Sequence, residues 1–167
     1  MTALEFIRRL ERDQLEPAYL FLGAEPYRRW ECRKALARKI LGEDGRQGEL
    51  TRYDLTQQSL VSVLDDARSL SLFCPRRLLW VESAEAPASG RRKAGPASEA
   101  ARELLVDYLK AAPAGVVIVF EASRYELDYE GRKKYQPVLQ FYEPVAKRGL
   151  VEFPPYTPQE AASLASK

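Results

Sequence analysis

Apolar residues along the chain follow two patterns. Short unbroken apolar runs predict buried strands, and runs spaced at three and four residues predict helices with one buried face. Such runs are Ala18-Tyr19-Leu20-Phe21-Leu22, the centre of Arg77-Leu78-Leu79-Trp80-Val81-Glu82, and Val116-Val117-Ile118-Val119-Phe120, and Leu150-Val151-Glu152-Phe153 reads as a further strand. Val116–Phe120 is β-branched and does not alternate, which suits a central parallel strand. Leu50-Thr51-Arg52-Tyr53-Asp54 is mixed in polarity and is expected nearer a sheet edge. Pro17 and Gly23 bound the first run, and Pro154-Pro155 stops the last.

Helical patterns fill the gaps. Thr2-x-x-Glu5 reads as a capping box ahead of Leu4, Ile7 and Leu10, with Phe6 beside them. Pro26 opens a helix running to about Leu41, with Trp30, Ala37 and Leu41 on one line, Leu36 and Ile40 beside it, and Gly42 as its stop. Ser98 is placed as the cap of a helix carrying Ala101, Leu104, Leu105, Tyr108 and Leu109. After a polar segment with Arg132, Lys133 and Lys134, a helix uses Val138, Leu139, Tyr142 and Val145, with Pro137 near its start and Pro144 bending or ending it. Ala84 to Ala97 is rich in Ala, Pro, Ser, Gly and Arg and is expected to be a surface loop. Strands alternating with helices argue for a three-layer α/β domain around a five-stranded, mostly parallel sheet.

One stretch does not fit its own pattern. Leu60, Val63, Leu64, Ala67 and Leu70 form one helical face that runs into Ser71-Leu72-Phe73-Cys74-Pro75. Continued on the same wheel, Leu72 and Phe73 fall about 120–150° from the middle of that face. Pro75 resists further helix. Two readings are open: the helix unwinds at Ser69 and both side chains enter the core, or they form a small hydrophobic plug for a partner protein.

Composition narrows the chemistry. The chain has 167 residues, 46% apolar and 30% charged, and a formal net charge of +2, ordinary for a soluble globular domain and demanding no nucleic-acid partner. No apolar run reaches the length of a membrane span and no signal-peptide pattern is seen, so a cytoplasmic protein is expected. Histidine is absent, which removes Ser-His, Cys-His and His-metal sites. Cys32 and Cys74 lack metal-ligand spacing and are expected to be buried or half-buried thiols. No catalytic, metal or cofactor-binding residue is assigned.

In parallel α/β folds the loop after the first strand often cradles phosphate. Here it reads Gly23-Ala24-Glu25-Pro26-Tyr27-Arg28-Arg29-Trp30, with one glycine and no Lys-Ser/Thr pair. Glu25 would repel phosphate and Pro26 removes a cradle N–H, so ATP hydrolysis is not expected there. Glu82, followed by Glu85, reads as a solvated strand-end carboxylate, and Asp65-Asp66 is expected to face water. The basic triplet Arg91-Arg92-Lys93 reads as a solvated loop.

Four stretches, in this order and spacing, carry a family resemblance. They are Tyr19 to Tyr27, Leu70-Ser71-Leu72-Phe73 leading into Arg76 to Glu82, Val116 to Glu121, and Val151 to Pro155. Together they resemble the N-terminal domain of the delta subunit of the bacterial DNA polymerase III clamp loader. The resemblance implies an AAA+-like (P-loop NTPase-like) fold with a degenerate nucleotide site and no intrinsic enzymatic activity, within a DNA polymerase holoenzyme. It implies binding and opening of the sliding clamp (the beta subunit), with Leu72 and Phe73 entering the clamp's hydrophobic pocket and Leu70 and Ser71 as flanking support. Further partners it implies are the other loader subunits, through domains beyond Lys167, and DNA through the complex; no membrane is involved. The tail Thr157-Pro158-Gln159-Glu160 is a second capping box, so residues 1–155 are expected to form the domain and 156–167 the start of a truncated helical one. The alternative is a degenerate nucleotide-binding ATPase or kinase-like domain.

Overall fold

The computed structural model describes residues 1–69, 74–88, 96–128, 131–157 and 159–160, with only the backbone of residues 96–97. The chain runs α1 (Ala3–Glu11), β1 (Ala18–Leu22), α2 (Pro26–Leu41), β2 (Glu49–Asp54), α3 (Leu60–Arg68), β3 (Arg77–Glu82), α4 (Pro96–Lys110), β4 (Val116–Ala122), α5 (Arg132–Phe141), α6 (Glu143–Gly149) and β5 (Leu150–Glu152). The strands form one sheet in the order β2-β3-β4-β1-β5, and every pairing is parallel. The polar strand β2 takes one edge and β4 the centre, as their compositions require.

Alternation along the strands feeds two cores. Leu20 and Leu22 of β1, Leu79 and Val81 of β3, and Ile118 and Phe120 of β4 face α3, α4, α5 and α6. Tyr19 and Phe21, Leu78 and Trp80, and Val117 and Val119 face α1 and α2. The second core is aromatic. Phe21 sits 5.3 Å from Phe6, 5.4 Å from Trp80 and 5.1 Å from Phe153, centroid to centroid.

Several local expectations shift. On α1 the buried side chains are Phe6 and Leu10, with Ile7 partly buried, while Leu4 is 58% exposed. On α2 the buried line is Cys32, Leu36 and Ile40, spaced at four residues, and Trp30 is 51% exposed with the Lys34 ammonium 3.4 Å from its ring centroid. Burial pushes the Cys32 thiol up to about 12, so it packs as an inert apolar group. Helix α4 begins at Pro96, so Ser98 lies inside its first turn rather than capping it. Pro137 falls inside α5, and the chain breaks at Tyr142 and restarts with Pro144 in the first turn of α6. Arg132, Lys133 and Lys134 therefore open α5 instead of preceding it. Within 84–88, Ala84 and Glu85 are buried in a turn, so this end of the expected surface loop belongs to the core; residues 89–95 lie outside the described ones.

Candidate functional site

The end of the sheet where a nucleotide would sit lies at the carboxyl ends of the strands, beside β1 and β4, where the connections reverse direction. Gly23 follows β1 at φ 125°, and a Cβ there would come within 2.4 Å of the Phe153 carbonyl oxygen and 3.1 Å of Leu127 Cδ1. The chain itself fills the space over this turn. Glu25 fills the rest: it is 8% exposed and is the N-cap of α2. Its two carboxylate oxygens accept from the backbone N–H groups of Tyr27 (2.9 Å) and Arg28 (2.7 Å). The helix end that would hold a phosphate already holds an anion. Behind it, Arg29 donates to the Gly23 carbonyl (2.9 Å) and pairs with Glu121 (3.4 Å), which accepts from Trp80 Nε1 (2.8 Å). Glu82 is exposed, as expected of a strand-end carboxylate, whereas Glu85 is 3% exposed and pairs with Arg124 at 3.1 Å. Among the described residues no group of His, Cys, Asp and Glu could hold a metal ion.

The tail docks on the same helix. Thr157 and Glu160 form the expected capping box: Glu160 accepts from the Thr157 N–H (2.9 Å), and the Glu160 N–H donates to Thr157 Oγ1 (3.3 Å). Arg28 reaches Glu160 at 2.6 Å and lies 4.2 Å from the Tyr156 ring centroid. The Thr157 backbone N–H, then Arg28, hold the Glu160 carboxyl down to about 2, from an ordinary 4.5. A depressed carboxylate stabilises the docked form above the ordinary value and loses that contribution as pH falls through the lower one. The Arg28–Glu160 pair is therefore expected to hold at pH 5 and to weaken as pH falls from about 4.5 toward 2. A carboxyl-carbon NMR titration of Glu160 checks this: Arg28→Ala should raise the midpoint, and a midpoint unchanged by that substitution would contradict the pair.

The residues that flank the other candidate lie at the opposite end of the sheet. Leu70, Ser71, Leu72 and Phe73 lie outside the described residues. The residues on either side are tightly held. Of the expected stripe, Leu60, Val63, Leu64 and Ala67 are buried on α3 and Leu70 lies outside the described residues; Ser69, the C-cap, is in extended conformation. Ser69 Oγ donates to the Asp66 carbonyl at 2.7 Å. On the far side, the Arg77 N–H donates to the Gly115 carbonyl (2.8 Å), and the Glu49 N–H donates to the Arg76 carbonyl (2.9 Å). Gly115 has φ 80°, and a Cβ there would lie 2.3 Å from the Pro75 carbonyl oxygen, so only glycine admits this strap.

Arg77 joins the two sides. Its side chain is 6% exposed and donates to the Asp66 carboxylate (2.6 Å) and the Asp66 carbonyl (2.7 Å). Glu49 lies 3.7 Å from its Nε. Tyr53 donates to the same Asp66 carboxylate at 2.7 Å. Burial works against the Asp66 charge, but Tyr53 and Arg77 outweigh it and hold its carboxyl below the ordinary range. Burial and that carboxylate together push the Tyr53 hydroxyl up to about 12. Asp66 thus does not simply face water, while Asp65 is exposed. The signal for this pair was present in the alternation, since Arg77 shares a strand face with Leu79 and Val81, toward α3. A cavity of about 600 Å³ also opens at this end, lined by Leu15, Lys39, Arg76, Lys110, Pro113 and Gly115 among others.

No curated protein matches this chain. Among solved structures the fold is similar to the Bacillus subtilis DNA clamp loader delta protein, with 20% identity and a TM-score of 0.66. The likeness covers 97% of this chain and 45% of that one, so this chain spans less than half the length of that protein. No helix among the described residues is long and apolar enough to cross a membrane. The family model for "DNA polymerase III, delta subunit" matches residues 19–139, most of the chain, from within β1 through β4 and into α5. This chain belongs to the DNA polymerase III delta subunit family.

Proposed function

We propose that this chain is the clamp-binding module of a clamp-loader delta subunit. It docks on the sliding clamp through Leu72 and Phe73, flanked by Leu70 and Ser71, and helps hold one clamp interface open without hydrolysing ATP. Membership of the family is the observation that carries this reading. The resemblance of Leu70-Ser71-Leu72-Phe73 to the family's clamp-docking stretch supplies the residues. The work is mechanical: burial of a Leu and a Phe yields roughly 1.5–3 kcal/mol each, enough to seat the chain if neighbouring contacts add to it. Residues 1–155 are the working unit in this reading, and the capped segment from Thr157 leads into a further helical part that joins the other loader subunits. Contact with DNA comes through the assembled complex, in the cytoplasm. Calorimetric titration of the chain into the sliding clamp of the same organism, without nucleotide, tests it. Saturable binding is expected, and no heat or pull-down at micromolar concentrations would overturn it.

The alternative, a degenerate nucleotide-binding ATPase or kinase-like domain, is disfavoured by the Glu25 carboxylate on the N-terminus of α2. A ligand at a hundred times its Kd raises stability by about 2.7 kcal/mol. Millimolar Mg-ATP is therefore expected to leave the melting temperature of the chain unchanged. A rise of several degrees would restore the alternative.

A further inference from the structure

Helix α2 carries two apolar lines, and the domain uses one. Cys32, Leu36 and Ile40 are buried in the aromatic core. The other line, Trp30, Ala37 and Leu41, is the one the sequence pattern singles out, yet Trp30 is exposed and Ala37 and Leu41 are only partly buried. Arg33 lies on the same side of the helix, with its guanidinium carbon 4.6 Å from the Trp80 ring centroid. Leu41 reaches the start of β2, where its Cδ2 would lie 3.1 Å from a Cβ on Gly48. This line of α2 therefore overlooks the edge strand. Four helices cover the opposite face of the sheet and only α1 and α2 cover this one. On β2, Leu50 and Arg52 lie on this face, in register with Leu78 and Trp80, and both are exposed.

The backbone of β2 is open as well. The N–H groups of Glu49 and Leu55 donate to the Arg76 and Glu82 carbonyls of β3 and its flank, at 2.9 and 3.1 Å. In a parallel ladder Thr51 and Tyr53 share that side, so the peptide groups of Leu50, Arg52 and Asp54 face away from the sheet. The Asp54 N–H is taken by Gln58 Oε1 at 2.9 Å, which closes the strand's far end. Leu50 and Arg52 present the open stretch, the kind of edge that accepts an extended segment. Its charge selects the segment. Arg33, Lys34 and Arg52 line the ledge, and none has a carboxylate within ion-pair distance among the described residues. Asp54 and Glu82 sit past Arg52 at the carboxyl end, with Asp54 engaged by the Thr56 N–H and hydroxyl.

We propose that the β2 edge is a docking site for an extended acidic segment of a partner protein, which adds a sixth strand beside Leu50 and Arg52. Alternate side chains of that strand turn toward Arg52 and Arg33 and take their charge. The others turn toward the α3 side, where Val61 is exposed. The site is separate from docking through Leu72 and Phe73 and stands or falls without it.

The probe is an acetylated peptide of alternating Glu and Val, about eight residues long, with the Lys and Val counterpart as control. Titration is followed by amide NMR. The Leu50 and Arg52 amide signals should shift and gain exchange protection, while those of Thr51 and Tyr53, already bonded to β3, should change little. The acidic peptide should bind at up to about millimolar concentration and the basic one should not, and added salt should weaken the binding. Arg52→Glu is expected to weaken it about tenfold or more. Leu50→Pro removes an outward N–H and leaves the β3 ladder, and it should weaken binding similarly. Should Leu50→Pro fail to fold, Arg52→Glu, at an exposed side chain, still decides. Equal binding of the two peptides, affinity unchanged by Arg52→Glu, or Leu50 and Arg52 amides that do not move would overturn the proposal. A chain that sediments as a dimer until Leu50→Pro is introduced would also overturn it, by giving the edge to a second copy.

Discussion

Replacing Leu72 and Phe73 together by alanine is expected to abolish binding to the sliding clamp while leaving the fold intact. Each side chain contributes roughly 1.5–3 kcal/mol when buried, so the pair removes about 3–6 kcal/mol of docking energy. At about 1.4 kcal/mol per factor of ten, that is a loss of about a hundredfold or more. The fold is expected to survive the change, because the described part of the α3 stripe, Leu60 to Ala67, and the fastenings at Ser69 and Arg77 are groups the substitutions leave in place. Far-ultraviolet circular dichroism and the melting temperature should therefore match wild type. Affinity within threefold of wild type in a calorimetric titration would refute the docking reading.

Phe21→Ala carries the largest expected effect on stability. The ring is fully buried at the meeting of α1, β1, β3 and the segment after β5, with Phe6, Trp80 and Phe153 around it. The last two partners come from distant parts of the chain, and the hydrogen-bonded backbone of the sheet cannot collapse into the space left behind. Large-to-small changes of this kind cost about 3–5 kcal/mol, the transfer of the ring plus the cavity it leaves. For a domain of this size each kcal/mol moves the melting temperature by about 2–4 °C, so a fall of about 6–20 °C is expected by calorimetry. A shift below about 3 °C would mean that this face of the sheet repacks freely, contrary to its interlocked aromatic geometry.

The sheet was largely legible in the sequence because its strands are buried on both faces. A run such as Val116–Phe120 has no solvent side to confuse its reading, and β2 betrayed its edge position by its polar residues. Helix faces were harder. Trp30 and Leu4 are apolar and close to the right spacing, yet the faces that pack are led by Cys32, Leu36 and Ile40 on α2 and by Phe6 and Leu10 on α1. A rotation of about 100°, one residue, separates the two readings, and hydrophobicity alone does not choose between them. The polar anchors were legible only as isolated charges. Asp66 and Arg77 are eleven positions apart and meet only after β3 lies beside α3. Glu85 was read by its neighbour Glu82 rather than by the turn that buries it. Glu25 was legible as an anion in the turn after β1, but its use of both oxygens to cap α2 is a matter of geometry.

Fluorine-labelled phenylalanine, with the Phe73 resonance assigned by its loss in Phe73→Ala, gives the most direct measurement of where that ring goes. As sliding clamp is added, the Phe73 signal should shift and lose its sensitivity to solvent isotope, while the signals of the buried rings Phe6 and Phe21 stay where they were. A Phe73 signal unmoved in a solution where chain and clamp are demonstrably bound to each other would contradict docking through this residue.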